Sequence, residues 1–367
     1  MDRRFLTLLA TLAVLTCGCQ GDRSAASAAG EVETTTAAPT TAAAGGPTAQ
    51  PTPAVGTGPV LDAAALPTGA PPKVAYAFAR HPTFGGGHWE LVRPDGSRHP
   101  FTENPALFAA YDDVVVNGYG TEGGFVVELF DGRARLQHEQ RELCSYALVT
   151  TPDRGIAAWL QNDGSLVEQY ADGSLSTRPI ELPGGPCGGV DPVALNGPIL
   201  YVDGPELVPM RISGPQQGVR IPQLSDLVDV SRRGNLIGRL RDEDRCFGLL
   251  RDDGHRRWRT CADRLVSFAP DGRHVLGTKG SVELAGFRGI VVHGPRNGRV
   301  EAEWANTRRQ RVSQIEWEDA EHLLVVVRNS AVGWSVVRLG LDGSAEYAAT
   351  PVRTGDGELA PFRLPMG

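Results

Sequence analysis

The sequence predicts an all-β fold: a single β-propeller of about seven four-stranded blades, with the ring closed by a C-terminal strand. Three observations carry this prediction. After Lys73 a strand–turn–strand–loop–strand–turn–strand unit recurs at a spacing of about 40 residues, the period of a propeller blade. Its turns repeat the dipeptide Asp-Gly, a signal for tight hairpins. Its apolar content grades from continuous runs such as Leu323-Leu324-Val325-Val326-Val327 to polar strands such as His255-Arg256-Arg257-Trp258-Arg259-Thr260. Strands buried on both faces read as the former, and charged strands guard an outer edge. Six or eight blades stay open, because the middle copies are irregular.

The chain of 367 residues does not start as a folded domain. Arg3 and Arg4 precede an apolar run over 5–16, too short to span a bilayer as a mature helix but the length of a signal-peptide core. The run ends in Leu15-Thr16-Cys17-Gly18-Cys19, which resembles a bacterial lipobox. That resemblance implies a signal peptide over 1–18 and lipidation of Cys19. Cleavage within Ser24-Ala25-Ala26-Ser27-Ala28 would instead give a secreted protein. Residues 19–72 are rich in Thr, Ala and Pro and almost free of large apolar side chains, as in Thr34-Thr35-Thr36-Ala37-Ala38-Pro39. Such a segment cannot offset its ordering entropy by burial, so a disordered tether is expected. About 50 flexible residues reach roughly 40 Å, enough to hold a domain clear of a membrane. The propeller is assigned to 73–367.

The clearest blade begins at Leu265, turns at Pro270-Asp271-Gly272, and turns again at Pro295-Arg296-Asn297-Gly298. Later and earlier copies begin near Val312 and Leu227, and weaker ones near Ala106, Cys144 and Val190. Asp-Gly is expected to form two-residue hairpins in which both central residues take positive φ. The first copy lacks an inner strand, whereas the C-terminus has a spare one over 358–364. The ends are therefore expected to meet there, which removes the open edges of a linear array.

The segment Ser267-Phe268-Ala269-Pro270-Asp271-Gly272-Arg273 resembles the WD40-like repeat of TolB-type propellers, and Val149-Thr150-Thr151-Pro152-Asp153-Arg154-Gly155 resembles a degenerate copy. No repeat joins a Gly-His to a Trp-Asp as true WD40 blades do, since no Trp-Asp dipeptide occurs. The resemblance implies an extracytoplasmic scaffold or binding role and transfers no catalytic residue.

Cysteine usage agrees with export. Without Cys17 and the lipidated Cys19 four cysteines are left, an even number that suggests two disulfides. A hairpin centred between Asp253 and Gly254 sets Cys246 directly opposite Cys261, and Cys144 opens the blade that Cys187 closes. The expected pairs are Cys144–Cys187 and Cys246–Cys261.

The formal charge is −7, and 34 of the 36 basic residues are arginine, with lysine only at 73 and 279. This is read as codon usage of a GC-rich, actinobacterial type. An acidic chain does not have the basic excess of a nucleic-acid binder. No nucleophile elbow, zinc-protease motif or phosphate loop occurs, so no catalytic set, metal site or cofactor is predicted. Arg80-His81-Pro82-Thr83-Phe84-Gly85-Gly86-Gly87-His88-Trp89 reads as a long loop in preference to a metal or anion site, and Asp242-Glu243-Asp244-Arg245 as a solvated loop lacking calcium-ligand spacing. Trp159, Trp258 and Trp317 read as packing residues.

Long connections are expected over 80–88, 118–124, 183–191, 279–288 and 305–311, all on the rim that carries the cysteines. Function tends to sit on long loops borne by a rigid scaffold. The expected contacts there are His88, Trp89, Tyr119, Phe287 and Arg288. The leading functional expectation is a membrane-tethered, non-enzymatic binding or scaffold module for a cell-envelope protein or glycan. The alternative is a propeller lyase or hydrolase using Asp191, Asp229 and Glu316 at the channel mouth.

Overall fold

The computed structural model describes residues 58–82, 87–102, 105–121, 124–143, 147–182, 190–203, 209–213, 218–243, 245–280, 287–307, 310–354 and 359–366. Their strands form seven antiparallel four-stranded blades, each running from an inner strand A to an outer strand D. Blade 1 takes its strand A from the C-terminus, Phe362–Arg363, followed outward by Tyr76–Phe78, Glu90–Val92 and Arg98–Pro100. Ala77 pairs with Arg363 and Phe78 with Phe362, so the ring closes as the spare C-terminal segment requires. Blade 2 comprises Leu107–Ala110, Val114–Thr121, Gly124–Asp131 and Leu136–Leu143, and blade 3 Val149–Thr150, Ile156–Leu160, Ser165–Tyr170 and Leu175–Pro179. Blade 4 comprises Asp191–Asn196, Ile199–Asp203, Pro209–Ser213 and Val219–Arg220, and blade 5 Leu224–Val230, Leu236–Leu240, Phe247–Leu250 and Arg256–Thr260. Blade 6 comprises Arg264–Phe268, Val275–Lys279, Gly289–His293 and Val300–Asn306, and blade 7 Gln310–Trp317, His322–Asn329, Gly333–Gly340 and Ala345–Val352.

The apolar core is divided among the blade interfaces. Seven separate buried clusters occur, and each joins two neighbouring blades. The cluster of Tyr76, Leu324, Trp334 and Phe362, for example, joins blade 7 to blade 1. Seven interfaces among seven blades mean that no blade face is left uncovered. The run Leu323 to Val327 is fully buried, as its unbroken apolar sequence predicts. Trp159, Trp258 and Trp317 are buried as well. Inner strands of blades 4 to 7 each carry a bulge, at Pro192/Ala194, Leu227/Asp229, Leu265/Ser267 and Val312/Gln314. Bulges sharpen the twist that short strands near the axis need.

Four expectations are corrected. The Asp-Gly turns are not two-residue hairpins, because none of their aspartates takes positive φ and at most the glycine does (Gly96 +81°, Gly254 +81°, Gly272 +67°). Each is a longer turn in which the aspartate Oδ1 accepts the N–H two residues on, as Asp253 does from His255 at 3.0 Å and Asp271 from Arg273 at 2.8 Å. Second, the 118–124 connection is short: Gly118 to Thr121 belong to a strand that pairs up to Thr121–Gly124. Third, the 305–311 connection is short, since strand D of blade 6 runs to Asn306 and strand A of blade 7 begins at Gln310.

The fourth concerns the tether. Residues 58–72, which composition assigns to it, run as a strap along the outer edges of blades 6 and 7. Val60–Leu61 adds a fifth, parallel strand to blade 6, and Thr68 bridges Tyr347 of blade 7. Leu61 and Ala63 are buried in the interface of those blades. Gln310 binds both sides of the strap, donating to Leu61 O and accepting from Ala63 N–H at 2.7 Å. Arg338 donates to Ala70 O at 3.0 Å and Pro71 O at 2.9 Å, and its guanidinium pairs with buried Glu318 and with Glu346. A few small apolar residues and many backbone bonds hold this segment, and neither leaves a hydrophobic pattern.

Candidate functional site

The two rims of the ring differ. Strand alternation puts A–B and C–D turns on one rim and B–C and D–A connections on the other. The Cys246–Cys261 disulfide lies on the second rim, at the start of strand C and the end of strand D of blade 5, with Cα atoms 4.1 Å apart. It continues the register Phe247–Thr260, as the hairpin centre predicts. Cys19, Cys144 and Cys187 lie outside the described residues.

The residues singled out in the sequence share the second rim but not one pocket. His88 is exposed and precedes strand C of blade 1, while 83–86 lie outside the described residues. Trp89 is buried in the blade 1–2 core, with the Arg363 guanidinium 5.8 Å from its ring centre. Tyr119 is half-buried in a strand of blade 2 and lines a groove against Phe101 and Thr102 of blade 1, with its hydroxyl 3.5 Å from Glu128. Phe287 packs partly against the blade 6–7 core, and Arg288 is exposed, its backbone N–H donating to Lys279 O at 2.6 Å. In the 242–245 loop, Glu243 pairs with Arg256 at 3.1 Å and with Arg259, and Asp244 lies outside the described residues.

The three carboxylates of the enzymatic alternative stand on separate blades. Asp229 accepts N–H bonds from Val230 at 2.6 Å and, across to blade 6, from Phe268 at 2.7 Å. Burial pushes its pKa up to about 7 against the pull of these two amides. Asp229 thus acts as a clamp between inner strands. Glu316 of blade 7 lies 3.4 Å from Gln314 Nε2, and Gln314 also ties the ring shut by donating to Leu364 O at 3.0 Å and accepting from Leu364 N–H at 2.9 Å. Asp191 is exposed and stands opposite Asp203 across the first two strands of blade 4.

Sequence reading missed the most distinctive surface, a cleft of about 750 Å³ on the turn rim between blades 5 and 6. Arg233, Arg251, Arg257, Arg273, Arg296 and Arg299 line it, with only Asp252 and Glu301 as acidic lining groups. Six cations against two anions form a local positive field on a chain of charge −7. Arg251 and Arg273, both exposed, have partners in Asp253 at 3.4 Å and half-buried Asp271 at 3.6 Å, which compensate them weakly. Glu301 is engaged by His274 at 2.7 Å. Among the described residues, no acidic side chain pairs with Arg233, Arg257, Arg296 or Arg299.

The cleft is built from rigid turns. The 294–299 turn closes with Gly298 N–H to Gly294 O at 3.0 Å, and Trp258 Nε1–H donates to Pro295 O at 3.1 Å. The His293 ring meets Gly298 O at 3.0 Å. Gly298 has φ of +68°, and a Cβ there would lie 2.7 Å from the Trp258 ring. Only glycine lets this turn sit down on the indole that positions Arg296 and Arg299.

The molecule is thus a seven-bladed β-propeller with an arginine-rich cleft on one rim. No family model matches the chain, and no curated protein matches it. Among solved structures it is similar to the Cps50 (Swd1) beta-propeller domain of Myceliophteria thermophila, at 11% identity and TM-score 0.46, covering 68% of this chain and 88% of that one. It is similar to the WD40 domain of Toxoplasma gondii coronin, at 13% identity and TM-score 0.45, covering 79% and 78%. It is also similar to apo AztD from Citrobacter koseri, at 12% identity and TM-score 0.48, covering 76% and 96%. At such identities no residue role is carried over, and the blade count rests on this chain's own hydrogen-bonded sheets.

Proposed function

We propose that the protein is an extracytoplasmic, membrane-tethered propeller that serves as a non-enzymatic binding or scaffold module for a cell-envelope protein or glycan. The observation that carries the reading is the arginine cleft. It presents four guanidinium groups without an acidic partner among the described residues on a pre-formed wall, and guanidinium is the side chain suited to planar, bidentate recognition of anionic groups. Wall turns fixed by Trp258 and His293 reduce the ordering cost of binding.

The Cys246–Cys261 bond favours an oxidising compartment, since disulfides persist outside the cytosol. The lipobox-like Leu15-Thr16-Cys17-Gly18-Cys19 and the TolB-like Ser267-to-Arg273 segment favour a bacterial lipoprotein, with lipid on Cys19. The strap supplies a mechanical link, because it joins any anchor upstream of Gly58 to blades 6 and 7.

Capture from a cell-envelope extract with the full chain tests binding, and detergent-phase partitioning of the wild type and Cys19→Ala tests the anchor. The expected result is one saturable envelope component, released by salt, and loss of partitioning in the variant. Retention of no envelope component overturns the binding role, and unchanged partitioning overturns the anchor.

A further inference from the structure

We infer that the blade 5–6 cleft is a binding site for an anionic saccharide, a hydroxylated sugar carrying carboxylate or phosphate groups. This rests on the binding-module reading and names the ligand chemistry of its site. The positive wall demands an anion: Arg233, Arg257, Arg296 and Arg299 are exposed without acidic partners among the described residues, and they come from the A–B turn and outer strand of blade 5 and the C–D turn of blade 6. Guanidinium groups arriving from two blades surround a ligand, whereas a single basic strand would only attract one.

The rest of the lining selects among anions. Besides the arginines, the wall consists of Asn235, Asn297, Asp252, Glu301, three glycine or proline positions and nothing larger that is apolar. Protein partners are anchored by tryptophan and tyrosine together with arginine in dry pockets, and no aromatic side chain lines this cleft. Single-stranded nucleic acid needs aromatic faces for its bases, and the nearest indole, Trp258, lies buried beneath Gly298. A ligand rich in hydroxyls suits the wall, because Asp252 and Glu301 accept O–H donors that a continuous polyacid does not offer. Asn235 and Asn297 both donate and accept, as ring hydroxyls require. A volume of about 750 Å³ lies within the range of small-ligand clefts.

Calorimetric titration of the full chain tests this with trigalacturonate, glucose 6-phosphate, uncharged maltotriose, polyglutamate and oligo-dT. Saturable binding of trigalacturonate or glucose 6-phosphate, without binding of maltotriose, is expected, and the stronger of the two identifies the anionic group. Arg257→Gln combined with Arg296→Gln should weaken it by roughly tenfold or more, the scale of losing charge-assisted hydrogen bonds. Arg98→Gln, on blade 1, should leave it unchanged. All these side chains are exposed, so an unchanged melting curve verifies that each variant is folded. Equal or tighter binding of polyglutamate or oligo-dT overturns the assignment, as does binding insensitive to the double substitution. A chain that captures an envelope component but binds neither anionic sugar overturns this inference alone. A chain that does neither overturns the binding-module reading as well.

Discussion

Arg154 of blade 3 donates hydrogen bonds to the backbone carbonyls of Trp317 and Glu318 on blade 7, the latter at 3.3 Å, although the two blades are not neighbours in the ring. The guanidinium therefore crosses the channel on the turn rim. Burial pulls its pKa below the usual arginine value, with Glu316, Asp319 and Glu318 opposing that effect. The backbone is equally unusual. Arg154 has φ of +56° in the turn position that glycine fills in blades 5 and 6, at Gly234 and Gly272. A non-glycine residue there costs about 1 kcal/mol or more and persists only where its surroundings impose it. The channel brace is that imposition.

Arg154→Ala should destabilise the ring by roughly 2–4 kcal/mol, because it loses the brace and keeps the strained φ. Arg154→Gly should lose about 1 kcal/mol less, since glycine accepts the left-handed backbone freely. Urea unfolding of both variants measures this order. Equal midpoints for Ala and wild type would remove the brace from the account.

The strap should behave as part of the domain. A chain starting at Gly58 is expected to melt like the full chain. One starting at Lys73 exposes the interface under Leu61 and Ala63 and leaves Gln310 and Tyr347 without their strap partners. It also removes the Ala70 and Pro71 carbonyls from Arg338. The expected loss is roughly 3 kcal/mol or more, since burying one leucine contributes about 2 kcal/mol and each bond about 1 kcal/mol. Matching melting temperatures for the two truncations would return the strap to the tether.

Stability should fall as pH rises from 5 to 8. Asp229 is raised to about 7 by burial, and Asp203 to about 6 by burial and the nearby Asp226 carboxylate. Unfolded, both would titrate near 4, so over about pH 4–7 the native state holds protons that the unfolded chain has released. Their contribution is therefore lost as pH climbs through that window. Asp319 has the opposite sign: burial works against it, but Lys73 at 2.6 Å, the Glu321 N–H and His322 hold it below the usual carboxylate range. Its contribution is present above pH about 4 and lost on further acidification. Melting temperature should peak in mild acid, and Asp229→Asn should flatten the decline toward pH 8. A melting temperature that rises from pH 5 to 8 would contradict the assignment.

Much of the fold was legible because it is local. Strand, turn and strand lie within one blade, so spacing alone yields about seven blades, a closing strand within 358–364 and the Cys246–Cys261 pairing, and the hydrogen-bonded sheets fix the count at seven. Hairpin register is arithmetic along the chain. The loop-rim expectation was weaker: Trp89 turned inward to the core and Tyr119 into a strand, because strand ends are set by sheet pairing as much as by glycine content.

By itself, the sequence determined an all-β repeat, its inner-to-outer apolar gradient and its ring closure, since apolar periodicity and turn chemistry are written in consecutive residues. Only the tertiary structure decided the strap, the Arg154 brace and the arginine cleft. The strap joins residues 267 and 268 positions apart, and the brace joins residues 163 and 164 apart. The cleft gathers charges from two blades on a chain whose overall charge is negative. Such features depend on which blade stands beside or across from which, and the geometry of the closed ring fixes that.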